Sequence, residues 1–115
     1  MDPLSEPSIF SKFLGNSPMI RVLDILLESR EIDYSKKEMA EAAGVSWNTL
    51  ASVWPFLLEK GIIMRTRKIG KQEMYMLDRE NVLVLLLTDF YDSLLGYMVE
   101  TSSVKGRTSV ARIKS

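Results

Sequence analysis

Gly44 constrains this chain more than any other residue, because it stands between two segments that each carry a helix cap and an apolar stripe. Upstream, Ser35-Lys36-Lys37-Glu38 has the spacing of a capping box: the Ser35 hydroxyl accepts from the third helical N–H, and Glu38 reaches back to the cap. Downstream, Val45 alone separates Gly44 from Ser46, a second cap, and a helix then runs through Leu50, Val53, Trp54, Leu57 and Leu58 to Gly61. Glycine takes the left-handed conformation at a helix end without a Cβ penalty, so this spacing predicts two helices joined by a tight turn. Met39, Ala40, Ala43, Val45, Leu50 and Val53 supply the apolar contacts, with Ala40 small where the second helix crosses. The unit is a helix-turn-helix.

The flanking sequence adds a helix on one side and a hairpin on the other. Ser17 caps a helix that begins at Pro18 and carries Met19, Ile20, Leu23, Leu26 and Leu27 on one face to about Glu28, while Val22 and Ile25 lie off that stripe and hint at a second contact surface. Residues 1–16 read as an extended lead-in in which Ile9, Phe10, Phe13 and Leu14 could dock a short helical turn. Pro55 leaves the Ala51 carbonyl without its usual donor, but Leu57 and Leu58 continue the stripe, which predicts a kink and not a break. After Gly61 the period changes: Ile62 to Met64 start a strand, Gly70-Lys71 turns it, and Glu73 to Leu77 returns. A last helix, capped by Asn81 or Asp78, runs from Val82 to about Val99.

Composition removes whole classes of function. There is no cysteine and no histidine, so disulfides, zinc fingers and imidazole or thiol catalysis are excluded, and a reducing cytoplasm is the expected compartment. No Gly-rich phosphate loop, metal-ligand cluster or triad is present, so no enzyme, cofactor or metal site is expected; Ser102-Ser103-Val104-Lys105 carries a Ser-x-x-Lys spacing without a framework around it. The most apolar run, Val82 to Leu87, is far short of the roughly 20 residues of a membrane span, and no signal peptide is visible. Lys plus Arg and Asp plus Glu each total 15, but the charges are segregated. Lys60, Arg65, Arg67, Lys68 and Lys71 occur with no acid before Glu73, and Lys105, Arg107, Arg112 and Lys114 occur with none after Glu100. Acids gather at Asp24, Glu28, Glu31 and Asp33 and at Asp89, Asp92 and Glu100, an arrangement that offers a basic face to a polyanion and an acidic back to water.

MAEAAGVSWNTLASVWPFLLEKGII followed by RTRKIGKQEMYML resembles the helix-turn-helix plus wing of prokaryotic winged-helix transcriptional regulators, and VWPFLLEKGII looks closest to small archaeal-type members. The resemblance spans Ser17 to Leu77 and implies a helix in the DNA major groove and a wing on the backbone or minor groove. The residues permit that. Asn48 and Ser52 point about 160° from the buried stripe, where a reader of base edges must lie. The hydroxyls of Ser46 and Thr49 suit phosphate oxygens, Lys36 opens the preceding helix, and Arg65, Arg67, Lys68 and Lys71 form a basic wing opposed only by Glu73. Trp47 sits at the border of the stripe, either packing there or touching DNA. No Arg or Lys occurs between Val45 and Glu59, which departs from the commonest pattern and shifts the electrostatic load to the wing.

The last helix carries two neighbouring stripes, Leu83, Leu86, Phe90, Leu94 and Tyr97, and Leu87, Tyr91, Leu95 and Met98. Such an arc is wider than docking on one small domain needs. A second copy of the same helix is the economical partner, giving a two-fold dimer with an interface of Leu83, Leu87, Phe90, Tyr91, Leu94, Leu95 and Met98; the alternative is a helix wrapped in its own domain. Asp89 and Asp92 share a face that could bind a cation but is better suited to solvation or to a partner's Arg. The expected architecture is mainly α with a small β-hairpin wing: an N-terminal extension (1–16), a winged helix-turn-helix DNA-binding domain (17–78), a C-terminal dimerisation helix (79–100) and a basic flexible tail (101–115). The expected function is sequence-specific binding of double-stranded DNA by a homodimeric transcriptional regulator. The competing reading is a winged-helix protein-interaction or assembly module that reads no DNA sequence.

Overall fold

A computed structural model describes residues 8–103, with side chains to residue 97; the tail expected at 101–115 therefore lies outside the described residues from 104 onward, and the Met98 side chain lies outside them too. In chain order the elements are α1 (Ile9–Leu14), α2 (Pro18–Glu28), α3 (Lys36–Ala43), α4 (Trp47–Glu59), β1 (Ile63–Ile69), β2 (Gln72–Leu77) and α5 (Val82–Ser103). The fold is mainly helical with one antiparallel hairpin, a winged helix-turn-helix followed by a long C-terminal helix. α5 continues through Ser103, past the expected end near Val99. Among the described residues no helix is long and apolar enough to cross a membrane.

Each helix starts where a serine or asparagine oxygen satisfies an orphan backbone N–H. Ser17 accepts from Ile20 N–H and Ser46 from Thr49 N–H, and Ser35 and Glu38 close a reciprocal capping box. Of the two candidate caps for α5, Asn81 holds the position: its Oδ1 accepts from Leu83 N–H at 2.7 Å, while Asp78 accepts from Glu80 N–H. The same Asn81 side chain donates through Nδ2 to the carbonyls of Lys60 and Gly61, so one amide closes the end of α4 and opens α5.

α2 is the helix around which the others gather, packing against α1, α3, α4, α5 and β2. Its off-stripe residues account for that: Val22 is fully buried and Ile25 packs on the core. The N-terminal segment is no mere lead-in from Ser8 onward. Ser8 caps α1, and Phe10 is wholly buried with its ring 5.3 Å from Tyr91 and 6.2 Å from Phe90 of α5, while Phe13 and Leu14 stay exposed. Asp24 of α2 ties these elements together by accepting from the hydroxyls of Ser8 (2.6 Å) and Tyr91 (3.3 Å).

In the hairpin Ile63 pairs with Leu77 and Ile69 with Gln72 across the Gly70-Lys71 turn, whose positive φ falls on Gly70. Tyr34 joins from the α2–α3 connection by exchanging both backbone hydrogen bonds with Tyr75, at 2.7 and 2.8 Å. Tyr75 in turn presents its ring edge-to-face to Trp54 of α4 at 5.3 Å. The helix-turn-helix, the wing and the connection before α3 are thereby one packed unit. Pro55 is accommodated within α4, which continues to Glu59.

Gly44 has φ +68, and a Cβ there would lie 2.6 Å from the Arg21 guanidinium, which donates to the Gly44 carbonyl. Gly44→Ala should therefore cost about 1–2 kcal/mol for the left-handed backbone and, in addition, the displaced Arg21 bond. Gly70→Ala, at φ +62 with nothing within 4 Å of its Cβ, should cost only the backbone part. Urea unfolding of the two variants checks the ranking, and equal losses would show that Arg21 contributes nothing to the turn.

Candidate nucleic-acid interface

α4 buries Leu50, Trp54 and Leu57 and so turns the opposite face outward. Asn48, Ala51 and Ser52 are exposed on it, and Thr49 is half-buried. Trp47, for which the sequence left open both packing at the boundary and touching DNA, is 56% exposed. The hydroxyls are partly committed. Ser46 Oγ accepts from Thr49 N–H and donates to Thr49 Oγ1 at 2.9 Å, so its proton is used within the cap and the Thr49 hydroxyl is left to donate outward. Ser52 Oγ donates to the Thr49 carbonyl at 2.6 Å, which leaves only its lone pairs to face solvent. Lys36 is half-buried at the first position of α3.

The wing differs from its expected charge. The register of β1 shifts between Arg65 and Arg67, making Thr66 a bulged residue. A regular strand would aim Arg65 and Arg67 the same way; across the bulge they part. Arg65 pairs with Glu73 at 2.7 Å, while Arg67 reaches Asp33 with Nε at 2.9 Å and Nη2 at 3.2 Å, and the Thr66 hydroxyl donates to the same Asp33 carboxylate. The expectation that Glu73 alone opposes the wing is thus corrected. Asp33, beside the Tyr34 bridge, is carried into the wing and undoes part of the charge segregation. Among the described residues Lys68 and Lys71 make no ion pair, and both are exposed.

These pairs shift ionisation in the direction their geometry requires. Hydrogen bonds from Arg67 and then Thr66 hold the Asp33 carboxyl below its ordinary range, and Arg65 does the same for Glu73. Arg65 and Arg67 are pushed further up, chiefly by the same hydrogen bonds. On α5, burial beside the charges of Asp24 and Glu28 pushes the Tyr91 hydroxyl up to about 12, so it stays a hydrogen-bond donor.

Over its first turns α5 buries one side and exposes the other. Val84 is fully buried, and Leu87 and Tyr91, both half-buried, pack on the chain's own core. Leu83, Leu86 and Phe90 are exposed, joined by Phe13 of α1, whose ring is 6.1 Å from Phe90; Leu94 is half-buried and Leu95 exposed. Asp92 has a partner within its own chain: Arg30 grips it with both terminal nitrogens, also donates to the Leu27 carbonyl, and lies over the Tyr91 ring.

No protein-family model matches the chain, and no curated protein matches it. Among solved structures it is similar to the homodimeric winged helix-turn-helix DNA-binding domain of a possible ArsR-family transcriptional regulator from Mycobacterium bovis. The identity is 23% and the TM-score 0.52, over 77% of this chain and 81% of that one. The two share the winged helix-turn-helix fold. This mycobacterial likeness lends no support to the archaeal-type resemblance.

Residues that the sequence reading did not mark as part of the site include Arg21, which pins the turn, and Asp33, which takes up Arg67. The folded-state carboxyl values of Asp33 and Glu73 lie below their unfolded ones, so the stability these pairs contribute is fully present above about pH 5, where the unfolded carboxyls are ionised, and is lost as pH falls through the depressed values. Carboxyl 13C titration should place the Asp33 midpoint below the ordinary range, and Arg67→Ala should return it toward about 4. A midpoint that does not move would dissociate Asp33 from Arg67.

Proposed function

We propose that this chain is a sequence-specific double-stranded DNA-binding protein that acts as a homodimeric transcriptional regulator in the cytoplasm. The observation that carries this reading is the outer face of α4, which stands exposed with Asn48 and Ser52 at the end of a helix-turn-helix in a winged fold. Asn48 and Ser52 read base edges, Thr49, Lys36 and the capped N-terminus of α4 meet phosphates, and Lys68 and Lys71 of the wing add sequence-independent affinity. Residues 17–78 form the DNA-binding unit and the helix that follows forms the dimer contact. The shared fold with a homodimeric DNA-binding domain supports both parts.

The wing's internal pairing sets the size of the electrostatic contribution. With Arg65 and Arg67 held by Glu73 and Asp33, Lys36, Lys68 and Lys71 of each protomer neutralise about six phosphates per dimer, so log K for random duplex should fall against log salt with a slope of about −5. Asp33→Asn releases Arg67 and should tighten random duplex while steepening that slope by about two units. Fluorescence anisotropy across a salt series measures both. The lack of Arg or Lys between Val45 and Glu59, together with exposed Trp47 and Phe56, favours a second reading as a protein-interaction module. Absent or salt-independent binding to duplex would select it.

For the dimer, the contact surface is the exposed stripe of α5, Leu83, Leu86 and Phe90, extended by Phe13. Leu86→Glu with Phe90→Glu charges that stripe and spares Val84, Leu87 and Tyr91, so the product should be a folded monomer with weakened DNA binding, since each half-site then binds alone. Sedimentation velocity with a thermal melt checks this. A wild-type chain that sediments as a monomer at micromolar concentration overturns the dimer.

A further inference from the structure

We propose that the half-site read by α4 is rich in A·T pairs, with Trp47 and Ala51 packed on thymine methyl groups beside an adenine contact from Asn48; this rests on the DNA-binding reading above. Three features of the exposed face converge on that base composition, and a fourth, Ser52, is compatible with it. The commonest guanine contact is a bidentate Arg or Lys to O6 and N7, and the helix offers neither between Val45 and Glu59. Lys60, just past its end, lies over the Phe56 ring at 5.7 Å.

Ser52 gives its proton to the Thr49 carbonyl, so towards a groove it only accepts. Its lone pairs suit the amino groups of adenine N6 or cytosine N4 and leave the acceptors of guanine and thymine unserved. Asn48 is exposed and carries a donor and an acceptor on one planar amide, the match for adenine N6 and N7. Trp47 and Ala51 then occupy the positions immediately before these two polar residues, both exposed and one helical turn apart. The apolar group that a base pair presents in the major groove is the thymine C5 methyl. Each turn of α4 therefore offers one methyl-seeking and one hydrogen-bonding side chain. A turn rises about 5.4 Å against about 3.4 Å per base step, so the two rungs cover about two neighbouring pairs.

The test is selection of the full chain on random-sequence duplex, followed by replacement of thymidine with deoxyuridine in the selected half-site, which removes only the methyl. A·T-rich half-sites are expected. Affinity should fall about fourfold for each contacted methyl, the transfer value of one buried carbon. Trp47→Ala, with an unchanged melting temperature, should lose part of that discrimination, and 7-deazaguanine in place of guanine should change nothing. Half-sites dominated by G·C, or affinity indifferent to the methyl, overturn the A·T assignment while leaving DNA binding intact. Failure to select any sequence, with no salt-sensitive binding, overturns the DNA reading as well and leaves the Trp47 face to a protein partner.

Discussion

Two left-handed glycines, Gly44 and Gly61, fix where α4 begins and ends, and the outward face of the molecule depends on them. At each, the glycine N–H and the N–H after it turn back on the preceding helix. Gly44 bonds the Glu41 carbonyl and Val45 that of Ala40; Gly61 bonds Leu58 and Ile62 bonds Leu57. This is the Schellman arrangement, with its apolar contact supplied by buried or half-buried residues on either side. Because α4 opens at the Ser46 cap just past the first of these turns and closes in the second, the rotation of α4 about its axis is set by which side chains find the core. Leu50, Trp54 and Leu57 do, and Asn48, Ala51 and Ser52 are left outside as a geometric consequence. The entry glycine is held from α2 by Arg21, and the exit glycine from α5 by Asn81.

The wing shows how one extra residue changes the electrostatics of a surface. A basic run read along the sequence carries a charge for each side chain, yet a bulge at Thr66 sends Arg65 and Arg67 to different acids. Exposed pairs of this kind contribute little to stability, since water screens them. Their larger effect is on a polyanion, which must compete with Asp33 and Glu73 for two guanidinium groups and meets Lys68 and Lys71, which make no ion pair among the described residues.

What could be read in the sequence was what is decided locally. Ser17, Ser35 and Ser46 were legible as caps because a cap and its N–H partner lie within three residues, and Gly44 was legible because the turn leaves little choice. The buried stripe of α4 followed from its period. Less accessible were interactions whose partners meet only after packing. Arg67 and Asp33 are 34 positions apart and meet through both the Tyr34 bridge and the Thr66 bulge. The apolar arc of α5 was visible as two stripes, but periodicity does not say which one the domain takes. That choice is made by Phe10, whose burial against Tyr91 brings the Leu87 and Tyr91 side inward. The same docking places Phe10 and Ser11 of α1 in the core, as the apolar residues Ile9, Phe10, Phe13 and Leu14 allowed beside the prolines and glycine that suggested a lead-in.

The placement of α2 links the two surfaces that the proposed function needs. One side of this helix carries Asp24, which holds Ser8 of α1 and Tyr91 of α5, while Arg30, just beyond its end, grips Asp92. Arg21, one turn nearer its start, reaches the turn between α3 and α4. A dimer formed through the exposed stripe of α5 and Phe13 of α1 would therefore sit on elements bonded directly to α2. The recognition helix is bonded to the same α2 at its entry and to α5 at its exit. Few side-chain rotors lie between the two-fold axis and Asn48, so the spacing of two such helices on DNA would be set by packed backbone and not by a flexible connection.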